Sequence, residues 1–376
     1  MFYLLGLVSL FADIVYEGGR SVSGSYLDYL GSPAIGPALV GVGDFVGYIL
    51  RFLAGYAATL YQSSRVLWGF VVAGYAVTAV SIPMLALAST WGAAVALYTV
   101  ERIGKGLRTP SREVIVAEVS ESFGLGKGFG IHELLDQVGA FLGPLAVAIA
   151  IARWGYAQAF LMLALPGALS VALVVSASLL YPTLKSVERA EKPTAKLRGL
   201  GRPFWLYTLA SSALALGFMH WSLVSYYLSS YEILSDPEIG LVFSAAMLVD
   251  ALAAVPLGHL FDKVKTRLLL VQPVFSFLLV AILLYAPREL VPLVAVCYGI
   301  VMCSEESVMR AAVALLADPP RRPMAYGSFG LFFGFAWALG GVVYSAILAN
   351  KVFMLLYALA TSAISFALYA KIARTC

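Results

Sequence analysis

From Val66 to Val100 the chain carries no charged side chain, and the next twelve residues, Glu101 to Arg112, carry five. A bilayer core about 30 Å thick needs about 20 apolar residues to cross it as a helix. The uncharged run is therefore long enough for one whole crossing and most of a second. The charges that follow begin inside the bilayer or at its edge. There a charged side chain costs at least ~2.5–3.5 kcal/mol and faces a cavity or a partner. On a helix Glu101, Lys105, Arg108 and Arg112 fall within about 60° of one another and form one stripe, with Arg102 a quarter turn away. A polar interior within a membrane protein is the expectation.

Composition supports that class. The chain is 61% hydrophobic and 12% charged, with mean hydropathy +0.88, against about 25% charged residues in a soluble domain. Twelve apolar segments are expected, near 4–27, 36–60, 66–88, 92–110, 128–151, 157–180, 204–229, 238–258, 267–286, 291–316, 325–347 and 352–371. The reading is an all-α membrane protein of twelve transmembrane helices in two six-helix lobes, residues 1–180 and 204–376. The basic, proline-containing segment 181–203 is read as a cytoplasmic linker. The apolar run at Met1 lacks the basic start and small-residue cleavage site of a leader, so it is read as the first span.

Basic residues set the orientation. With the N-terminus inside, 17 of the 25 Lys and Arg fall in inner segments, 3 in outer loops and 5 within spans. The excess predicts both termini cytoplasmic in a multi-pass cell-membrane protein. The net charge of +4 then follows topology and implies no nucleic-acid partner. Cys297, Cys303 and Cys376 show no metal spacing. No nucleophile triad or phosphate loop is visible, so neither an enzyme nor a cofactor is expected. One Asn and four Gln hint at a thermophilic source. The halves repeat weakly: Phe129-Gly130 and Gly143 correspond to Tyr326-Gly327 and Gly340 at a constant offset, a pattern of secondary transporters.

These features resemble the major facilitator superfamily. Gly258-x-x-x-Asp262-Lys263 with Arg267 is similar to its cytoplasmic loop motif, while the first-half counterpart has Thr59 where an Asp is expected. Arg102-Ile-Gly-Lys-Gly106 resembles the fourth-helix motif whose arginine the family links to proton transfer. Gly139-Ala-Phe-Leu-Gly-Pro144 resembles a fifth-helix motif of antiporters, without its trailing glycines. More narrowly, Arg102 to Arg112 with Phe129-Gly-Ile-His132 and Asp136 resembles a prokaryotic branch, which implies a prokaryotic plasma membrane.

The resemblance implies a central cavity lined by helices one, four, seven and ten. Asp13 and Glu17, one turn apart, are then candidate proton sites with Arg102 as coupling residue. Arg20, Glu101, Lys105, His220, Trp221, Tyr226, Glu305 and Glu306 are candidate cavity residues. Trp205 and Tyr207 would extend the aromatic wall. Asp44, Arg51, Arg108, Arg112, His132, Glu133, Asp136, Asp262 and Arg267 are read as gating or structural charges, and Asp250 as an interhelical partner. The function expected is a monomeric, proton-coupled antiporter exporting a small organic compound by alternating access. Symport of an organic anion on Arg102 and Lys105, or export of a divalent metal on Asp13, Glu17 and Glu305, are alternatives. A transport-dead sensor or scaffold is a further one.

Overall fold

The computed structural model describes residues 1–61, 63–120, 125–184, 200–317 and 322–374. The side chains of 59, 125–130 and 322–323 are outside that description, and so is most of the expected linker. The described residues are almost entirely helical. Eight stretches are long and apolar enough to cross a membrane. Two of these, Ile131–Leu180 and Asp236–Tyr285, are 50 residues long and each holds two crossings. The fourth span, Trp91–Ser120, escapes that criterion through its charges, and the seventh through a break. With them the twelve expected spans are accounted for.

The second span is Ile35–Tyr61 and the third Ser64–Ser81 with a 3₁₀ extension, Pro83–Leu87. The fourth runs ten residues past its expected end, so all the charges from Glu101 to Arg112 stay helical. Leu125–Met162 holds the fifth span and turns at Gly155 into the sixth, which continues as Ala164–Leu180. Asp236–Val264 is the eighth and Val271–Tyr285 the ninth. Arg322–Ile347 and Lys351–Ala373 are the eleventh and twelfth.

Three spans depart from the uniform helices expected of them. The first divides at Val22 into Phe2–Ser21 and Ser23–Tyr29. The seventh divides at 218–220 into Arg202–Gly217 and Trp221–Ser230, with His220 extended at φ −66° and ψ 157°. These breaks occupy matching positions in the two halves. The tenth passes from Val294–Cys303 through a π-helical turn, Ser304–Met309, into Arg310–Leu316. Single π turns concentrate at functional sites, and this one carries Glu305 and Glu306.

Lipid tails are as apolar as leucine, so spans associate through close packing and small residues. The repeat noted in the sequence has this use. A Cβ on Gly143 would collide with the Ile14 carbonyl of the first span, and one on Gly340 with the Leu216 carbonyl of the seventh. The fifth span thus lies against the first as the eleventh lies against the seventh. The second half has one continuous buried apolar cluster. The first half has two, one around Val15, Tyr26 and Phe160 and the other around Leu5, Trp68 and Ile115. A buried polar belt through Tyr16, Glu101 and Arg102 lies between them.

Candidate functional site

Asp13, Tyr16, Glu17 and Arg20 recur at helical spacing on the first span, and all four line a cavity between the lobes. It holds about 1320 Å³ of atom-free space, its open mouth included. The end remote from both termini is shut by hydrogen bonds between the two broken spans and their neighbours. Trp221 Nε1 donates to the Ser21 carbonyl (2.6 Å), and Gly24 N to Ser225 Oγ (2.9 Å). Ser222 Oγ donates to the Pro37 carbonyl (2.9 Å), Tyr226 OH to the Ser32 carbonyl (2.8 Å) and Ser229 Oγ to Asp28 (2.8 Å). At about 0.5–1.5 kcal/mol net for each bond, the seam is worth a few kcal/mol. The cavity extends the other way, toward the terminal end, where Arg51, Glu113, Glu133 and Arg310 line it.

Arg102 is the hub of the closed end. Its Nε lies 3.1 Å from Asp44 and 3.0 Å from Glu101, and Nη1 donates a short hydrogen bond to Tyr16 OH. Arg20 donates to the same hydroxyl at 3.0 Å and lies 4.0 Å from Glu17. The Lys105 ammonium sits 3.7 Å above the centre of the Tyr16 ring, and among the described residues no carboxylate comes within 4 Å of it. Buried charges persist when paired and hydrogen-bonded, and Tyr16 supplies one acceptor to two guanidinium groups and a π face to the ammonium. Glu17 is nine-tenths buried, with one carboxylate oxygen lacking a hydrogen-bond partner.

Two hydrogen bonds cross from this belt to the other lobe. Trp337 Nε1 donates to Asp44 Oδ2 (3.2 Å), and Tyr48 OH donates to Glu305 (3.2 Å). Toward the terminal end, Arg112 lies 3.5 Å from Asp136 and donates to Ser9 Oγ (3.3 Å). Ser9 meets His132 Nε2 at 3.0 Å, and that nitrogen is 3.9 Å from Asp136. Arg51 pairs with Glu113 at 2.7 Å, and Gln137 donates to Glu133 at 3.4 Å.

Several expected cavity and gating residues have other surroundings or partners. Glu101 is fully buried between the third and fourth spans, where Thr78 and Arg102 hold it. Arg108 turns its guanidinium to Thr78 (2.6 Å) and to the Tyr75 ring, away from Asp136. The expected single stripe therefore divides, because long side chains reach round the fourth span to three different neighbours. Trp221 and Tyr226 belong to the closed seam, since the break before Trp221 carries them past the cavity. Trp205 is exposed and packs on Phe332, and Tyr207 is buried with its hydroxyl on the Met309 carbonyl. His220 lies behind the large cavity, bonded to Ser222 (2.7 Å) and stacked on Trp337. Asp262 and Arg267 are exposed where the eighth span ends. Glu305 and Glu306 both line the cavity. Tyr16, Tyr48 and Trp337 were not singled out in the sequence. Tyr16 carried a signal, its place between two acids and Arg20; Trp337 lay in a span noted only for its repeat glycines.

This fold, with a polar cavity between pseudo-symmetric halves, defines a secondary transporter. The sequence pattern of the Major Facilitator Superfamily matches residues 23–235 and 218–374, and the chain belongs to that superfamily. An uncharacterized protein of Mycobacterium tuberculosis is 36% identical over 352 residues, covering 90% of this chain and 84% of that one. An uncharacterized MFS-type transporter of Methanocaldococcus jannaschii is 26% identical over 343 residues, covering 87% and 83%. Among solved structures, the nucleoside transporter NupG is similar with TM-score 0.75 at 14% identity, covering 98% of each chain. A POT family transporter in complex with 5-aminolevulinic acid is similar with TM-score 0.76 at 14% identity, covering 99% and 95%. At these identities the structural likeness carries the fold.

Proposed function

We propose that the chain is a proton-coupled antiporter that exports a small organic compound by alternating access. The observation that carries this reading is the first span's acid pair: Asp13 and Glu17 line the cavity one turn apart, and Glu17, with one buried oxygen unpartnered, lies 4.0 Å from Arg20, which shares the Tyr16 hydroxyl with Arg102. An acid facing a cavity next to a guanidinium gains or loses its proton when their separation changes. A protein alternating between two states can use that exchange to bias its direction. The bonds from Asp44 and Glu305 to the opposite lobe tie such a change to lobe movement.

The anion-symport alternative has less support, because Arg102 already faces two carboxylates and only Lys105 remains open to an anion. For the metal alternative, Asp13, Glu17 and Glu305 form no group that could hold a metal ion among the described residues. The lobes 1–180 and 204–376, the 181–203 linker, cytoplasmic termini and a monomeric state complete the proposal. Maleimide added to intact cells should leave an introduced Lys263→Cys unlabelled in a cysteine-free background, and labelling there would reverse the topology.

The function is tested in two stages. A thermal-shift screen against amines, organic acids, sugars and metals identifies a ligand, since whatever binds the folded state raises its stability. Proteoliposomes loaded with a pH dye then receive that ligand. The proposal expects ligand movement in one direction to drive protons in the other. Transport with no proton movement, or with protons moving alongside the ligand, contradicts it.

A further inference from the structure

The second-half wall of the cavity is built differently from the first. Met247 and Asp250 come from the eighth span, Met302, Glu305 and Glu306 from the tenth, and Trp337 from the eleventh. Among the described residues none of the three carboxylates has a cation within 4 Å. Asp250 is 3% exposed and feels the charges of Glu306, Glu133 and Glu17, with the Cys303 thiol beside it. Glu305 feels Glu306, Arg20 and Arg310 and accepts from Tyr48. Arg310 is shared among Glu306, Glu113 and Glu133. Negative groups therefore outnumber positive ones on this wall.

A second observation points to a ligand. Glu17 reaches toward this wall from the other lobe, nine-tenths buried and with one oxygen unpartnered. Met247, Met302 and the Trp337 indole add a polarizable apolar surface of the kind that accepts varied hydrophobic bodies. A surplus of carboxylates, Asp250 buried and Glu305 and Glu306 half-buried, crowded on one cavity wall calls for positive counter-charge. A proton can supply it, or an organic cation can, and each displaces the other.

We infer that Asp250, Glu305 and Glu306, with Met247, Met302 and Trp337, form a binding site for a monovalent organic cation with an apolar body, an amine or onium compound, for which protons compete. This rests on the antiport reading of the cavity and gives the exported compound a chemical class. Competition at shared carboxylates links the two ligands reciprocally: whatever protons do to cation affinity, the cation does to proton affinity.

The test uses purified full-length protein and radiolabelled tetraphenylphosphonium in equilibrium dialysis between pH 6 and 8.5, with a pH indicator in weak buffer. Binding should be at least about tenfold tighter at pH 8.5 than at pH 6, with protons released as the cation binds. Glu306→Gln and Asp250→Asn should each weaken it by about tenfold or more. Affinity that does not change with pH overturns the inference, as does full affinity in both variants. Failure of tetraphenylphosphonium and of phenylethylammonium to bind at 1 mM also overturns it. Should the variants not fold, the wild-type pH profile decides alone. Binding needs no gradient, so cation binding without proton-driven transport would refute the antiport reading and leave this site standing; proton-driven transport without cation binding would do the reverse.

Discussion

Arg102 Nε lies 3.1 Å from Asp44 Oδ1, joining the fourth span to the second, while the other oxygen of Asp44 receives the Trp337 indole from the opposite lobe. One carboxylate thus connects the hub of the first half to the second half. Removing one partner of a buried pair leaves uncompensated charge, at about 3–5 kcal/mol. Arg102→Ala strands both Asp44 and Glu101. Asp44→Asn leaves Arg102 with Glu101 and costs less, about 1–3 kcal/mol. Thermal unfolding in one detergent should rank wild type above Asp44→Asn above Arg102→Ala. The reverse order for the two variants contradicts the hub.

The closed seam makes a second prediction. Gly24 packs so tightly on the seventh span that a Cβ would collide with the Ser222 carbonyl and the Tyr226 nitrogen. Gly24→Ala should keep that end from closing and shift the population toward the state open there. Maleimide labelling of Ser222→Cys, slow in an otherwise native background because Ser222 is 5% exposed, should rise severalfold with Gly24→Ala added. Unchanged labelling would show that the seam does not hold the closure.

The twelve spans were legible in the sequence because hydropathy over a span-length window is a strong signal, and so was the charged fourth span, because Glu101 to Arg112 follows so long an uncharged run. The breaks at Val22 and at 218–220 were not. Neither contains proline, and each depends on how the half-helices fit one another across the lobes. The π turn at Ser304–Met309 was hidden for the same reason, since nothing local in Ser304-Glu-Glu-Ser marks it. Charge partners were half legible. Spacing brings Asp44 and Arg51 to one face of the second span, but whether Arg108 meets Thr78 or Asp136 depends on side-chain reach across a packed interface.

Near the terminal end, the Arg112–Asp136 pair with Ser9 and His132 holds the first, fourth and fifth spans together. Asp136→Arg should abolish exchange of a screened ligand across proteoliposomes by placing like charges together. The swap Arg112→Asp with Asp136→Arg should restore part of it. A double variant as inactive as the single one would mean the pair's orientation, through Ser9, matters more than its charge.

The central claim is that Asp13, Glu17 and Arg102 carry the coupled proton. The direct measurement compares two assays on the same proteoliposomes, using a ligand found by the thermal-shift screen: transport driven by a pH gradient, and ligand exchange with no gradient. In Asp13→Asn or Glu17→Gln, whichever removes the essential acid, gradient-driven transport should fall at least about tenfold, while exchange continues, because the ligand can still cross without the proton step. Gradient-driven transport at the wild-type rate and with unchanged pH dependence in both variants would contradict the account and move the search for the proton path to His132 and Asp136.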